Sequence, residues 1–273
     1  MALLVALGLI ASSFQPAISG ASVAAAAEAL LWTAATPMPT PRFGLGVATA
    51  ANGRAYAVGG TNSSGANFAL TEEFDPLANA WSRKTNMPSG RFSLALVAAS
   101  SGTLYAIGGA TSSLQVLNKV EEYTPATNTW AARAAMPTAR LEFGAAAAPN
   151  GRIYVIGGIN ARGQILNTVE EYNPATNTWT PKAPLPTARM GLRAAASNGT
   201  IFAVGGLNRF GQTVGTVEAY DSATNSWTTR AQMPTARLGF GLATASDARL
   251  YAVGGTNLRG QTLDTVEVYD PAT

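Results

Sequence analysis

Apolar positions along this chain come in short runs, each closed by Gly, Pro or Asn, and the runs return at a fixed interval. One unit shows the pattern. Phe143–Ala148 is a run of small and apolar residues, Asn150-Gly151 punctuates it, and Arg152–Ile156 follows, ending on Gly157-Gly158. Thr168–Asn173 is a third run, Pro174–Asn177 turns the chain, and a fourth run starts at Trp179 and stops near Pro186. Runs this short, rich in β-branched and aromatic residues and bounded by turn formers, predict strands; we name them a, b, c and d in chain order. Asn52-Gly53, Asn150-Gly151 and Asn198-Gly199 predict two-residue hairpin turns between a and b, with Ser101-Gly102 and Asp247-Ala248 as variants.

The unit repeats. Trp32, Trp81, Trp130, Trp179 and Trp227 are spaced by 49, 49, 49 and 48 residues. The pairs Gly59-Gly60, Gly108-Gly109, Gly157-Gly158, Gly205-Gly206 and Gly254-Gly255 keep the same step. A period of this size marks supersecondary units that bury their faces only against one another. The one-residue deletion falls in strand a or the a–b turn of the fourth copy, since Trp179 to Arg189 keeps its spacing. Strand a is built of Gly and Ala where inner strands crowd an axis, and the aromatics stand further out. The expected fold is all-β: a propeller of five four-stranded blades forming a single domain over residues 28–273. The fifth copy stops after strand c, and Leu31–Met38 reads as an orphan strand d carrying Trp32, so this N-terminal strand is expected to close the ring.

Gly157-Gly158, Glu170, Tyr172, Pro174, Asn177, Trp179, Pro186 and Arg189 together resemble the kelch repeat, and the same set stands at Gly59-Gly60, Glu72, Phe74, Trp81, Pro88 and Arg91. The resemblance runs from Trp32 to Thr273 and implies the propeller fold. It does not imply one function, because kelch domains serve actin-binding proteins, ubiquitin-ligase adaptors, copper oxidases and sugar enzymes. The copper and iron chemistry of that family needs His or a Tyr–Cys link, and this chain has neither His nor Cys. No catalytic residue, metal site or cofactor is therefore expected.

Net charge is +3 with no Lys/Arg-rich run, which argues against nucleic acid. Ala2–Ala11 is apolar and too short to span a bilayer; with Pro16 and Ala24–Ala26 after it, it reads as an export signal over residues 1–27. The expected location is extracytoplasmic, with no stable membrane span.

Most carboxylates are repeat positions; Glu28, Glu142, Asp247 and Asp264 are not. Arg42, Arg91, Arg140, Arg189 and Arg237 recur in the d–a links and read as scaffold, each tied to carbonyls or to the repeated Glu. Arg162, Arg209 and Arg259 lie instead in b–c loops, which open on the same face as the d–a links, beside Asn160, Asn208 and Asn257. Two charges break the small residues at the start of strand a: Glu142 in the third copy and Arg193 in the fourth. Strand alternation predicts both on one side, as an ion pair or as a receptor for a carboxylate-bearing ligand. These residues make the candidate site of a non-catalytic binding module for a protein or glycan. The alternative is an exported sugar-acting enzyme of sialic or uronic acids on the same scaffold.

Overall fold

The computed structural model describes residues 34–273. It is all-β and forms five radial blades. Blade 1 contains β1 (Gly46–Thr49), β2 (Ala55–Val58), β3 (Thr71–Asp75) and β4 (Ala80–Arg83). Blade 2 contains β5 (Ala95–Ala98), β6 (Leu104–Ile107), β7 (Val120–Thr124) and β8 (Thr129–Ala132). Blade 3 contains β9 (Gly144–Ala147), β10 (Ile153–Ile156), β11 (Val169–Asn173) and β12 (Thr178–Lys182). In blade 4 the short strands β13 (Arg189–Met190) and β16 (Leu207–Asn208) pair beside the main sheet of β14 (Arg193–Ser197), β15 (Thr200–Val204), β17 (Val217–Asp221) and β18 (Ser226–Arg230). Blade 5 contains β19 (Gly241–Thr244), β20 (Leu250–Val253) and β21 (Val266–Tyr269). Every main sheet is an antiparallel meander in chain order.

The a–b turns differ from the two-residue expectation in four of five copies. In blade 3 the Ala148 N–H donates to Arg152 O, enclosing three residues, and only the third, Gly151, has a left-handed backbone (φ +76°). Blades 1, 2 and 5 do the same, with Gly53, Gly102 and Ala248 in that place. Blade 4 alone has the two-residue hairpin, with Ser197 opposite Thr200 and both Asn198 and Gly199 at positive φ. That is the missing residue of the short repeat: a three-residue bulged turn has become a two-residue one.

The core lies between blades, not within them. Four apolar clusters fill the spaces between successive blades. Each is centred on an aromatic from strand b of one blade against one from strand c of the next: Tyr56–Tyr123, Tyr105–Tyr172, Tyr154–Tyr220 and Phe202–Tyr269, with ring centroids 5.5–5.6 Å apart. The strand-c Tyr then stacks on the Trp of its own blade, as in Tyr123–Trp130 at 5.0 Å. That Trp reaches back a blade: Trp130 Nε1–H donates to Thr85 O at 2.9 Å, and Trp179 to Ala134 O likewise. Aromatic pairs with satisfied N–H groups suit such a half-buried seam.

The Gly pairs are the second seam. Gly60, Gly109, Gly158 and Gly206 donate their N–H to the Arg91, Arg140, Arg189 and Arg237 carbonyls of the next blade at 2.8–3.0 Å. A Cβ on Gly157 would stand 2.6 Å from Arg189 O, and φ is +64° and +95° at Gly157 and Gly158. Only glycine permits both the backbone and the approach. The inner strands are equally close, since a Cβ on Gly144 would meet Ala194 Cβ at 3.0 Å.

The expected closing strand is not among the described residues: Leu31–Thr33, with Trp32, lie outside them, and residues 34–38 form no strand. Thr36 makes the contacts of a d–a link residue. Its N–H donates to Asn79 Oδ1 and its carbonyl accepts from Trp81 Nε1, both at 2.9 Å, as Thr85 does with Asn128 and Trp130. Among the described residues no counterpart of the Gly-to-Arg bond joins blade 5 to blade 1, and Val253, Val266 and Val268 of blade 5 are 39%, 57% and 49% exposed. The export signal expected over residues 1–27 also lies outside the described residues.

Two stability measurements follow from the seams. Trp130→Ala removes the Tyr123 contact and the bond to blade 1's link, and should cost about 3 kcal/mol in denaturant unfolding. Burial pushes the phenols of Tyr123 and Tyr172 from 10.0 up to about 12. The neutral phenol is therefore the form the fold prefers. Stability from these rings is complete below about pH 10, where the unfolded chain also keeps its tyrosines protonated, and is lost as pH rises toward the folded value. Melting temperature should fall between about pH 10 and 12, and a flat profile there would contradict the assignment.

Candidate functional site

The d–a links and the b–c loops share one end of the propeller, and there each repeated arginine is paired with a glutamate of its own blade. Arg140 is fully buried; its Nη2 donates to Glu170 at 2.7 Å and its Nη1 to Gly157 O and Thr168 O at 2.9 and 3.0 Å. Arg42, Arg91, Arg189 and Arg237 pair in the same way with Glu72, Glu121, Glu218 and Glu267 of their own blades. Burial draws the Arg91, Arg140 and Arg189 guanidinium groups below their ordinary value, and the glutamate partner opposes it. The neighbouring glutamates serve strand edges: Glu73 takes Tyr56, Arg54 and Lys84, and Glu122 takes Arg133.

Asn160, Asn208 and Asn257 are spent on their own loops. Asn160 Oδ1 accepts from the Arg162 and Gln164 N–H groups at 3.0 and 3.1 Å, and its Nδ2 donates to Gln164 Oε1. Asn208 and Asn257 repeat this on Phe210 and Gln212 and on Arg259 and Gln261. An Asn that bonds the backbone two and four residues on fixes the loop. Their role is to hold the tips that follow them, not to face a ligand with free amides.

The tips are exposed and uneven. Blade 1 presents Ser63 and Ser64, blade 2 Ser112 and Ser113, blade 3 Arg162, blade 4 Arg209 and Phe210, and blade 5 Leu258 and Arg259. Phe210 is 72% exposed, with the Arg209 guanidinium 5.0 Å from its ring centroid. Sequence reasoning found the three arginines and missed the apolar residues beside them. It also missed Leu114, which is 73% exposed and left-handed (φ +60°), where the other copies place Gly65, Gly163, Gly211 and Gly260. Reading the Gly column of the b–c loop for its one exception would have found Leu114.

Glu142 and Arg193 stand at the starts of the neighbouring inner strands β9 and β14, and they do not form an ion pair; each bonds another group. Strand alternation does not relate them, because Glu142 precedes β9 and is left-handed (φ +54°) while Arg193 opens β14. Glu142 is buried, and its Oε1 accepts the Ser93 hydroxyl of blade 2 at 2.8 Å. Arg193 is half-buried; its Nε donates to Phe240 O of blade 5 at 2.9 Å and its Nη1 to Leu192 O at 3.2 Å. Burial lowers its guanidinium from the ordinary value, and the Glu142 charge acts against that shift. Among the described residues, no group of His, Cys, Asp and Glu could hold a metal ion.

The buried pairs give a test. Arg140→Met leaves the Glu170 carboxylate buried without its cation and should cost about 3–5 kcal/mol. Adding Glu170→Leu should recover a large part of that loss, and a double mutant as unstable as the sum of the singles would show that the pair is not the reason.

Comparison with known proteins agrees with this architecture. The family model described as the KLHDC2/KLHL20/DRC7 Kelch-repeats domain matches residues 131–273, and the Kelch motif matches residues 43–88 and 91–137. A search of curated protein sequences gives no significant match. Among solved structures, one titled "Structure of YjhT" superimposes with a TM-score of 0.75 at 17% identity, covering 88% of each chain, a likeness of fold alone. Blades joined by Gly-to-Arg carbonyl bonds, the repeated Arg–Glu–Tyr–Trp set and the family matches lead to one conclusion: this chain belongs to the kelch-repeat β-propeller family.

Proposed function

We propose that the chain is a non-catalytic binding module whose d–a/b–c face engages an acidic protein segment. The observation that carries this reading is the make-up of the loop tips. Across blades 3 to 5 the tips expose Arg162, Arg209, Phe210, Leu258 and Arg259, while blades 1 and 2 offer serines and Leu114. Arginine beside exposed aromatic and aliphatic side chains is the composition of protein-recognition hot spots. The tips are also pre-ordered. In blades 3 to 5 each follows an Asn that clamps its loop, so little entropy is lost when a partner docks. The repeated polar residues are tied up in the scaffold, which leaves these irregular positions to recognise a partner. A glycan partner is the competing outcome on the same face.

Substituting Arg162, Arg209 and Arg259 together by Glu should leave the melting temperature nearly unchanged, because surface changes of this kind stay within about 0.5 kcal/mol each. Panning a random peptide library on the wild-type protein should enrich acidic peptides with apolar anchors. Their binding should weaken with added salt and vanish in the triple variant. A glycan array run with the same protein decides the alternative: saturable glycan signals with no enriched peptide would overturn the protein reading. We also propose that the protein is exported, on the strength of the apolar Ala2–Ala11 run and the small residues after it. N-terminal sequencing of native protein should start near Ala27, and native protein that keeps Met1 would rule this out.

A further inference from the structure

We propose that the axial mouth of the propeller is a second, separate site that binds a small organic acid carrying a hydroxyl or ammonium donor beside its carboxylate. The bridging pair is Arg193 for the carboxylate and Glu142 for the donor.

The argument starts from the backbone. Two residues after each repeated Arg the chain is left-handed: Gly44 (φ +63°), Ser93 (+50°), Glu142 (+54°), Gly191 (+63°) and Gly239 (+63°). Hydrogen bonds run from blade to blade through this position, from Ser93 N to Gly44 O, from Gly191 N to Glu142 O and from Gly239 N to Gly191 O, at 2.7–3.0 Å. Glycine is the unstrained residue there, and three copies have it. Ser93 and Glu142 are the two that accept strain, and they are bonded to each other. Strain retained at two positions that bond each other motivates a functional reading of both.

Next come the charges. Glu142 Oε1 holds the Ser93 hydroxyl; among the described residues its Oε2 has no protein partner. Arg193 commits Nε and Nη1 to the Phe240 and Leu192 carbonyls and leaves Nη2 without one. Each charge is thus held by a neighbouring group, and each keeps hydrogen-bonding capacity without a protein partner among the described residues. The remaining copies put Gly46, Ala95, Gly144 and Gly241 where Arg193 stands, so no other charged side chain of that register joins the pair. A charge taken largely out of water needs a partner. Arg193 excludes a simple cation and Glu142 excludes a simple anion. A molecule that carries a carboxylate and a donor answers both with charge-assisted bonds.

The test uses three compounds of one skeleton with the full chain: L-lactate, L-alanine and propionate, titrated by ligand-observed NMR. L-Lactate, L-alanine or both should bind saturably, which tells a hydroxyl from an ammonium donor, and propionate should bind at least about tenfold more weakly. Arg193→Gln and Glu142→Gly should each weaken binding by about tenfold or more. Glu142→Gly should still fold, because the relief of left-handed strain by glycine offsets the lost Ser93 bond. That variant keeps the test valid should Arg193→Gln fail to fold. The combined Arg162→Ala, Arg209→Ala, Arg259→Ala protein should bind as wild type does, separating this site from the loop tips. The proposal fails if neither L-lactate nor L-alanine binds, if propionate binds equally well, or if Glu142→Gly leaves the affinity unchanged.

Discussion

A guanidinium buried at the start of each strand a holds each blade together, and most other contacts take their geometry from it. In blade 3, Arg140 joins three places at once: the Gly157 carbonyl after strand b, the Thr168 carbonyl before strand c and the Glu170 carboxylate on it. An uncompensated charge at such depth would destabilise the fold by several kcal/mol, so each guanidinium is paired with the glutamate of its own blade. Meeting that demand fixes the backbone of the arginine itself. Its carbonyl is then aimed at the preceding blade, where it accepts from the second glycine of the Gly pair. One residue thereby ties three segments of its own blade and, through its main chain, the seam to the preceding one. The glycines follow as a consequence, since no side chain fits between Gly157 and the Arg189 carbonyl.

How much of this was legible in the sequence depended on whether a feature repeats. The period located the blades, the strands and the Gly, Trp, Arg and Glu positions, because each occurs in register in every copy. The fate of the link arginines could be read for the same reason: a charge recurring beside a recurring glutamate has its partner in the repeat. Turn length was harder. Asn-Gly looks the same in Asn150-Gly151 and Asn198-Gly199, yet one residue of the preceding strand decides between a bulged three-residue turn and a two-residue hairpin. Side-chain direction at Glu142 was not legible at all. The alternation argument assumes extended backbone, and a single left-handed residue breaks it.

The irregular positions share a physical signature. Leu114, Ser93 and Glu142 are left-handed where other copies have glycine, at a cost of about 1–2 kcal/mol each. The left-handed asparagines are a different matter. Asn128 and Asn177 take that conformation at low cost, and their side chains recover it by accepting from the strand-c tyrosine and from the preceding link. Leu114 has no such return: it is an exposed aliphatic side chain on a strained backbone. Stability alone favours Gly at that point of the loop, and Leu114 is one of the exposed tip residues of the proposed binding face.

The two kinds of recognition proposed for this face sit where their physical demands are met. A small ligand needs its partners held to within a fraction of an ångström, and that requires rigid supports. Glu142 and Arg193 belong to blades 3 and 4, whose inner strands are packed on both sides and whose shared core includes fully buried Tyr154, Leu185 and Leu192. A protein segment bound by several side chains tolerates more play, because many weak contacts share the load. Leu258 and Arg259 sit on blade 5, the least buried of the five, held by their Asn257 clamp more than by a neighbouring blade. In a repeat fold stability is a sum over interfaces, so a residue between two packed blades is held firmly. The packed inner strands of blades 3 and 4 can therefore hold strained, buried charge, while the Asn-clamped loop tips present exposed side chains.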